Sequence, residues 1–153
     1  MPISNTNSKY LAEALDIAFN AHKGQTDKAG QPYILHPLRL MFSLEDDKSK
    51  IVALLHDVIE DTTITIEDLK NKGFPQDIIE AIEALTKQPN ETYQEFIERV
   101  SNNELAKTVK IADLKDNMNL TRLTELSNKD IERIEKYHKS LNYLQNHKPN
   151  SLS

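Results

Sequence analysis

The fold of this chain depends most on residues 51–61, which read IVALLHDVIED. Residues 51–55 are all apolar, and they predict a helix that is buried on every side. Two pairs of chemically active residues follow directly, His56 with Asp57 and Glu60 with Asp61. In a chain of this composition, chance gives about 0.002 such paired motifs. Because successive helix residues are about 100° apart, a helix that continues to Asp61 presents all four side chains toward one side.

These paired residues favour a metal or acid–base site at the end of the buried helix. An imidazole and a carboxylate that are adjacent, as at His56 and Asp57, can share one metal centre. The alternative is a helix end whose acids are only solvated. Acids are unfavourable near a helix C-terminus because of the helix dipole, and a bound cation would account for their position.

The rest of the pattern predicts a single all-α domain of about eight helices. Apolar residues between positions 9 and 23 recur at helical spacing, and no segment alternates with period two. Capping-box signals predict the start of three later helices, at Thr65 with Asp68, Thr92 with Glu95 and Ser127 with Asp130. The segment 24–35 predicts a loop or a small hairpin. We expect a flexible N-terminus over 1–8, the domain over 9–147 and a frayed tail over 148–153.

Composition and charge exclude several classes of protein. The 19 basic and 24 acidic side chains give a net charge of −5, which argues against a nucleic-acid binder. No apolar run is long enough to span a membrane, and no secretory signal is present, so we expect no membrane partner. The chain has no cysteine, which excludes disulfides and thiolate sites and predicts a cytoplasmic location. Its three glycines cannot form a dinucleotide fingerprint or a P-loop. The sequence does not set the oligomeric state.

Two more residues are candidates for the same chemistry. His36 precedes Pro37, which fits the first turn of a helix, so the imidazole can point inward at the helix entry. Asp113 follows the apolar pair Ile111 and Ala112, and a buried acid there needs a metal or a pairing partner. The alternatives are a structural histidine and a capped or salt-bridged aspartate.

One polar residue, Lys28, is a candidate for binding an anionic ligand. Lys28 lies in a polar loop and can meet a phosphate as a point charge, although exposed loop lysines often serve only solubility. Asn117 is the i+4 neighbour of Asp113 on the predicted helix.

Four motifs in this order resemble those of the HD-domain hydrolases of the RelA/SpoT type, in particular their stand-alone form, the small alarmone hydrolases. The motifs are AHKGQ at 21–25, PYILHP at 32–37, LLHDVIED at 54–61 and ADLKDNM at 112–118. The resemblance covers nearly the whole chain, residues 9 to 144. It implies an all-α HD fold, one divalent metal that is usually Mn²⁺, and removal of pyrophosphate from the 3′ position of ppGpp, with no synthetase or regulatory domain.

The resemblance also implies roles for individual residues. It places the metal on four ligands, His36, His56, Asp57 and Asp113. It makes Glu60 and Asp61 the catalytic acidic pair. It puts Lys28 and Asn117 near the substrate.

Three positions depart from the family pattern, which often has cations where this chain has Asp27, Leu114 and Asn119. A site with fewer cations favours a less highly charged substrate, so we expect weaker binding of ppGpp. On this hypothesis, Asp27→Arg lowers the Michaelis constant for ppGpp. Two alternatives stay open. One is hydrolysis of another phosphorylated nucleotide, including the 2′-phosphate of NADPH. The other is a non-catalytic binding module.

Overall fold

The computed structural model describes residues 6–147 and forms an all-α domain. Its eight α-helices are α1 (Thr6–Ala21), α2 (Leu35–Ser43), α3 (Asp47–Asp61), α4 (Ile66–Asn71), α5 (Gln76–Ala84), α6 (Tyr93–Ser101), α7 (Glu104–Asn117) and α8 (Asn128–Asn146). A short 3₁₀-helix, Leu120–Arg122, lies between α7 and α8. The predicted fold class is confirmed. Within the described part, no helix is long and apolar enough to cross a membrane.

The N-terminal boundary was predicted wrongly. Residues 6–8 belong to α1, whereas the flexible segment was expected to extend to residue 8. The remainder of that segment, residues 1–5, and the predicted frayed tail, 148–153, lie outside the described residues.

Helix α3 is the centre of the domain. It packs against α1, α2, α5 and α7, and residues 51–55 have no solvent exposure at all. Asp46 caps its start by accepting a hydrogen bond from the backbone N–H of Ser49 at 3.1 Å. Burying each large apolar side chain stabilises the fold by about 1.5–3 kcal/mol, so this run alone fixes α3 in the core. The functional residues at its end therefore project from a rigid element.

Local capping sets the start of three other helices, as the sequence predicts. Each has a side chain that accepts the N3 backbone N–H and an N3 carboxylate that accepts the N-cap N–H. The pairs are Thr65 with Asp68, Thr92 with Glu95 and Ser127 with Asp130. These hydrogen bonds satisfy backbone donors that the helix leaves free.

The 24–34 connection forms a tight loop with one antiparallel bridge between Thr26 and Pro32. The carboxylate of Asp27 closes it by accepting the backbone N–H groups of Ala29 and Gln31, each at 2.9 Å. Gly30 has a positive φ of 82°, a conformation that favours glycine. The expected hairpin is thus reduced to a single bridge, and the loop delivers the chain to α2.

Two large apolar residues of α1 and α8 are exposed rather than buried. Phe19 of α1 is 56% exposed and Ile131 of α8 is 49% exposed. Both helices are at the periphery, so only part of each apolar stripe meets the core. Lys23 covers the Phe19 ring, with Nζ 5.7 Å from its centroid.

Candidate active site

The four predicted metal ligands converge from three helices. His36 lies in the first turn of α2, His56 and Asp57 lie near the end of α3, and Asp113 lies near the end of α7. All four are buried. One ligand atom each from His36, Asp57 and Asp113 lies within 4.8 Å of the others, with His36 Nε2 2.9 Å from Asp113 Oδ1 and 3.6 Å from Asp57 Oδ2. This spacing suits a single cation between them.

His56 completes the cluster through an unpaired nitrogen. Its Nδ1 lies 3.1 Å from the carbonyl oxygen of Ala53, which can only accept, so Nδ1 carries the proton. Its Nε2 is buried, lacks a hydrogen-bond partner among the described residues, and lies 3.1 Å from Asp57 Oδ1. A buried ring nitrogen that lies beside carboxylates and makes no hydrogen bond of its own is suited to bind a metal. The donor set therefore fits a divalent ion.

Asp116 orients His36 from the opposite side of the ring. Its Oδ2 lies 2.6 Å from His36 Nδ1, and Arg39 donates to both of its oxygens at 2.8 and 3.0 Å. Burial lowers the pKa of His36, but the hydrogen bonds to Asp113 and Asp116 outweigh it and raise that pKa to about 10. Without a metal, His36 is thus an imidazolium; a metal would take the place of the Nε2 proton.

Asp113 divides its two oxygens between different partners. Oδ1 faces His36 and also accepts the Nδ2–H of Asn117 at 3.3 Å, whereas Oδ2 accepts the Nζ–H of Lys110 at 2.9 Å. Burial raises the pKa of Asp113, yet Lys110 and His36 hold it well below its usual range. The carboxylate is therefore ionised, with Oδ1 directed toward the cluster.

Asp57 is held by an aromatic side chain from the loop before α2. The hydroxyl of Tyr33 donates to Asp57 Oδ2 at 2.7 Å, and the Tyr33 ring contacts that of His22 with centroids 4.9 Å apart. Burial, followed by the Asp57 charge, raises the pKa of Tyr33 far above its ordinary value. The phenol therefore stays protonated and donates to Asp57.

Glu60 and Asp61 lie on α3 one turn beyond His56 and Asp57, and they line a cavity over the cluster. Helix α3 extends to Asp61, and both acids line the same cavity as His56 and Asp57, so the four side chains share one side of the helix. Burial, followed by the Asp57 charge, raises the pKa of Glu60, and the nearby backbone N–H of Lys87 offsets part of that rise. The same two causes raise the pKa of Asp61. Raised carboxyl pKa values beside a cluster of ligands are suited to proton transfer.

A cavity of about 550 Å³ lies over the cluster, a volume that suits a nucleotide-sized ligand. Lys28 and Asn117 both line it, as the sequence predicts for ligand-binding residues. Cations from α7, α8 and the connecting loops line it as well. The cavity is thus lined by both acidic and basic side chains.

Known proteins provide an independent comparison. Guanosine-3′,5′-bis(diphosphate) 3′-pyrophosphohydrolase of Borreliella burgdorferi is 40% identical over 83 residues, 52% of this chain and 12% of that protein. The bifunctional (p)ppGpp synthase/hydrolase SpoT of Escherichia coli gives the same identity and coverage. The 3′-pyrophosphohydrolase of Aquifex aeolicus is 30% identical over 124 residues, 73% of this chain and 18% of that protein. The chain is a homologue of the SpoT-type proteins.

These SpoT-type relatives are much longer than this chain. The chain spans less than a fifth of the length of each of them. A solved structure of a metazoan SpoT orthologue, described as hydrolysing ppGpp, covers 99% of this chain and 92% of its own, with a TM-score of 0.74 and 23% identity. This likeness establishes the same all-α fold. No protein-family model matches the chain.

The structure shows further residues around the cluster to which the sequence analysis assigned no role. Asp116, Arg39, Lys110 and Tyr33 hold the ligand side chains. Asp116 belongs to the motif ADLKDNM at 112–118, which the sequence analysis quotes without giving this residue a role. The one available signal was that Asp116 and Lys110 each lie three residues from Asp113 on one helix.

The three departures from the SpoT-type pattern have structural roles of their own. Asp27 lines the cavity, but its carboxylate closes the loop before α2, so an arginine there changes the loop as well as the charge. Leu114 has no solvent exposure and belongs to the core. Asn119 caps the 3₁₀-helix by accepting the backbone N–H of Thr121 at 3.2 Å. Asp27→Arg is therefore a poor test of substrate charge.

Proposed function

We propose that the protein is a metal-dependent phosphohydrolase that removes pyrophosphate from the 3′ position of ppGpp. The observation that carries the proposal is the buried Nε2 of His56, which has no hydrogen-bond partner among the described residues and lies beside Asp57 and Asp113 beneath a nucleotide-sized cavity. The names of the SpoT-type homologues support the choice of reaction and substrate. A reaction on a phosphorylated nucleotide also fits the expected cytoplasmic location.

The proposed metal ligands are His36, His56, Asp57 and Asp113. Two imidazoles and two carboxylates form a mixed nitrogen and oxygen set that accepts several first-row divalent ions, and we propose Mn²⁺. When bound, the ion lowers the pKa of a coordinated water and screens the charge of the phosphate. The chain's own contribution is to fix the ligands through Asp116, Lys110 and Tyr33.

Glu60 and Asp61 are the proposed acid–base pair. Both carboxyl groups border the cluster, and both have raised pKa values in the metal-free protein. One takes a proton from the attacking water or protonates the leaving 3′ oxygen. Because two adjacent carboxylates titrate as a coupled group, we assign the two roles to the pair rather than to either residue.

Lys28 and Asn117 are the proposed substrate contacts. Lys28 is exposed at the cavity, where its ammonium group can pair with a phosphate oxygen. Asn117 donates one hydrogen to Asp113, which leaves its amide oxygen and second hydrogen for a substrate hydroxyl or phosphate.

A second candidate is hydrolysis of a less charged phosphorylated nucleotide, such as the 2′-phosphate of NADPH. The acidic Asp27 at the cavity, where the family often has a cation, favours it. The two candidates differ in their product, since ppGpp releases pyrophosphate and a phosphomonoester releases phosphate.

A screen of phosphorylated nucleotides with added Mn²⁺ tests the proposal. Pyrophosphate and phosphate release are read separately, and the metal content of the same sample is measured. Pyrophosphate release from ppGpp is the expected result. Phosphate release from NADPH alone selects the second candidate, and no turnover by metal-loaded protein identifies a binding module.

A further inference from the structure

The side of the cavity formed by α6, α8 and the loop before α6 carries cations that the proposed reaction does not yet use. Lys87 lies in that loop and Lys136 lies on α8, and both are exposed and line the cavity. Lys87 shares the cavity lining with Glu60 and Asp61, and its backbone N–H is near enough to affect the pKa of Glu60, so this lysine borders the proposed acid–base pair. Lys136 lies over Tyr93, with Nζ 3.9 Å from the ring centroid.

These two lysines differ from most other cations of the cavity. Lys110 pairs with Asp113, Arg133 pairs with Asp130, and Arg39 and Arg122 pair with Asp116. Over residues 6–147, no carboxylate lies within ion-pair distance of Lys87 or Lys136. Their charges are therefore left for a ligand.

Charge repulsion and an unpaired hydroxyl indicate that an anion belongs there. Burial, followed by the charges of Lys110 and Lys87, lowers the pKa of Lys136, so the ammonium group of Lys136 is close enough to be repelled by both. The hydroxyl of Tyr93 is buried and has no hydrogen-bond partner in the described part of the chain. A phosphate group would offset the repulsion and accept from that hydroxyl.

We propose that Lys87, Lys136 and Tyr93 form an anion subsite that holds a phosphate group of the substrate other than the one at the metal cluster. The subsite rests on the proposed function, because it assumes a substrate with more than one phosphate. Its occupant is a terminal phosphate, either of the 5′-diphosphate or of the leaving 3′-diphosphate.

The subsite also explains how this chain accommodates a highly charged substrate despite its departures from the family. Leu114 is in the core and Asp27 closes a loop, so neither offers a cation to the ligand. Lys87 and Lys136 supply two positive charges from the α6–α8 side instead. On this basis the chain binds polyphosphorylated nucleotides in preference to phosphomonoesters.

The test is the double variant Lys87→Gln/Lys136→Gln, measured against Lys129→Gln/Lys139→Gln. The control removes two exposed lysines of α8 that lie outside the cavity lining and changes the net charge equally. We expect the first variant to raise the Michaelis constant for ppGpp by about 10- to 100-fold with little change in turnover, because charged contacts are lost from ground and transition states alike. We expect the control variant to keep the wild-type Michaelis constant for ppGpp.

A second variant tests the hydroxyl of Tyr93. Tyr93→Phe keeps the ring beneath Lys136 and should raise the Michaelis constant for ppGpp by about 3- to 10-fold.

Binding of GDP and of inorganic pyrophosphate, measured by calorimetry on the same Mn²⁺-loaded proteins, identifies the occupant. A loss of GDP binding in the lysine variant assigns the subsite to the 5′-diphosphate. A loss of pyrophosphate binding alone assigns it to the leaving group. Unchanged binding of both, or no binding of either by the wild-type protein, overturns the subsite.

The two proposals fail in different ways. If the wild-type protein does not hydrolyse ppGpp but loses GDP or pyrophosphate binding on lysine substitution, the proposed function is wrong and the subsite stands. If it hydrolyses ppGpp with an unchanged Michaelis constant in the lysine variant, the function stands and the subsite is wrong.

Discussion

The two sides of the cavity are built in opposite ways. On the cluster side, each ligand candidate is a buried side chain on a helix and is fixed by at least one neighbour, as Asp116 fixes His36 and Tyr33 fixes Asp57. On the α6–α8 side, Lys87 and Lys136 are exposed and have no carboxylate partner among the described residues. The difference indicates that the cluster side sets the chemistry, whereas the lysine side sets affinity and can vary with little effect on the fold.

The largest effect should follow from removing Asp113. Asp113→Ala deletes a ligand candidate that contacts His36, Lys110 and Asn117, so we expect loss of the bound metal and of measurable turnover. Metal content after dialysis against a competing chelator measures the effect, and circular dichroism verifies the fold. Full metal occupancy in this variant contradicts the ligand assignment.

The acid–base pair should affect turnover without affecting the metal. Glu60→Gln with Asp61→Asn keeps shape and hydrogen bonding, so we expect turnover to fall by about 10²- to 10⁴-fold with the metal retained. Steady-state kinetics and metal analysis on one sample distinguish the two properties. Near-normal turnover would show that the pair is only a solvated helix end.

Asp116 should tune the cluster more mildly. Asp116→Ala leaves His36 Nδ1 without its acceptor, and we expect metal affinity to fall by about 10- to 100-fold. Arg39→Gln keeps the contact between Asp116 and His36 and should lower the affinity less. Glu132→Ala, an exposed acid of α8 outside the cavity lining, is the charge-matched control. Equal affinities in all three variants would show that His36 needs no orientation from Asp116.

The smallest effect concerns the loop that carries Lys87, and it depends on pH. Arg99 donates to both oxygens of Glu91 and to the carbonyl oxygen of Thr86, which anchors the loop to α6. The hydrogen bonds from Arg99, followed by that from the backbone N–H of Gln88, lower the pKa of Glu91 from 4.5 to about 2. A lowered acid pKa stabilises the fold above the unfolded value, so this contribution is lost as pH falls from about 4.5 to about 2.

Hydrogen exchange of residues 85–92 across that range measures the loss. The wild-type loop should exchange faster as pH falls, beyond the intrinsic pH effect, while Glu91→Gln should show fast exchange throughout. Glu98→Gln, an exposed acid of the same helix as Arg99, is the control and should follow the wild type. A wild-type loop whose protection is constant over this range contradicts the anchoring role.

Much of the fold was predictable because its signals are local. The pair Thr92 with Glu95 defines a helix start within four residues, and the apolar run 51–55 leaves no exposed face. Exposure of Phe19 and Ile131 was not predictable, because it depends on which helices pack beside them. The start of α1 was also missed, since polar residues at a helix end carry little periodic signal.

The candidate site was predictable only in part. Local motifs and the family resemblance pointed to the four ligand candidates, and the structure brings those side chains together; their roles stay predictions. The contact of Arg39 with Asp116 joins residues 77 apart in sequence, and no local pattern reports such a pair. The same limit applies to Lys87 and Lys136, whose significance comes from the absence of a carboxylate within ion-pair distance in the described structure.

Titration of metal-depleted protein with Mn²⁺ tests the central claim most directly. Pyrophosphate release from ppGpp is followed at each addition, with Asp113→Ala as the inactive reference. We predict that activity rises in proportion to bound metal and saturates at one ion per chain, while Asp113→Ala gains none. Full activity in the metal-depleted protein, or no pyrophosphate release at full occupancy, would contradict the account.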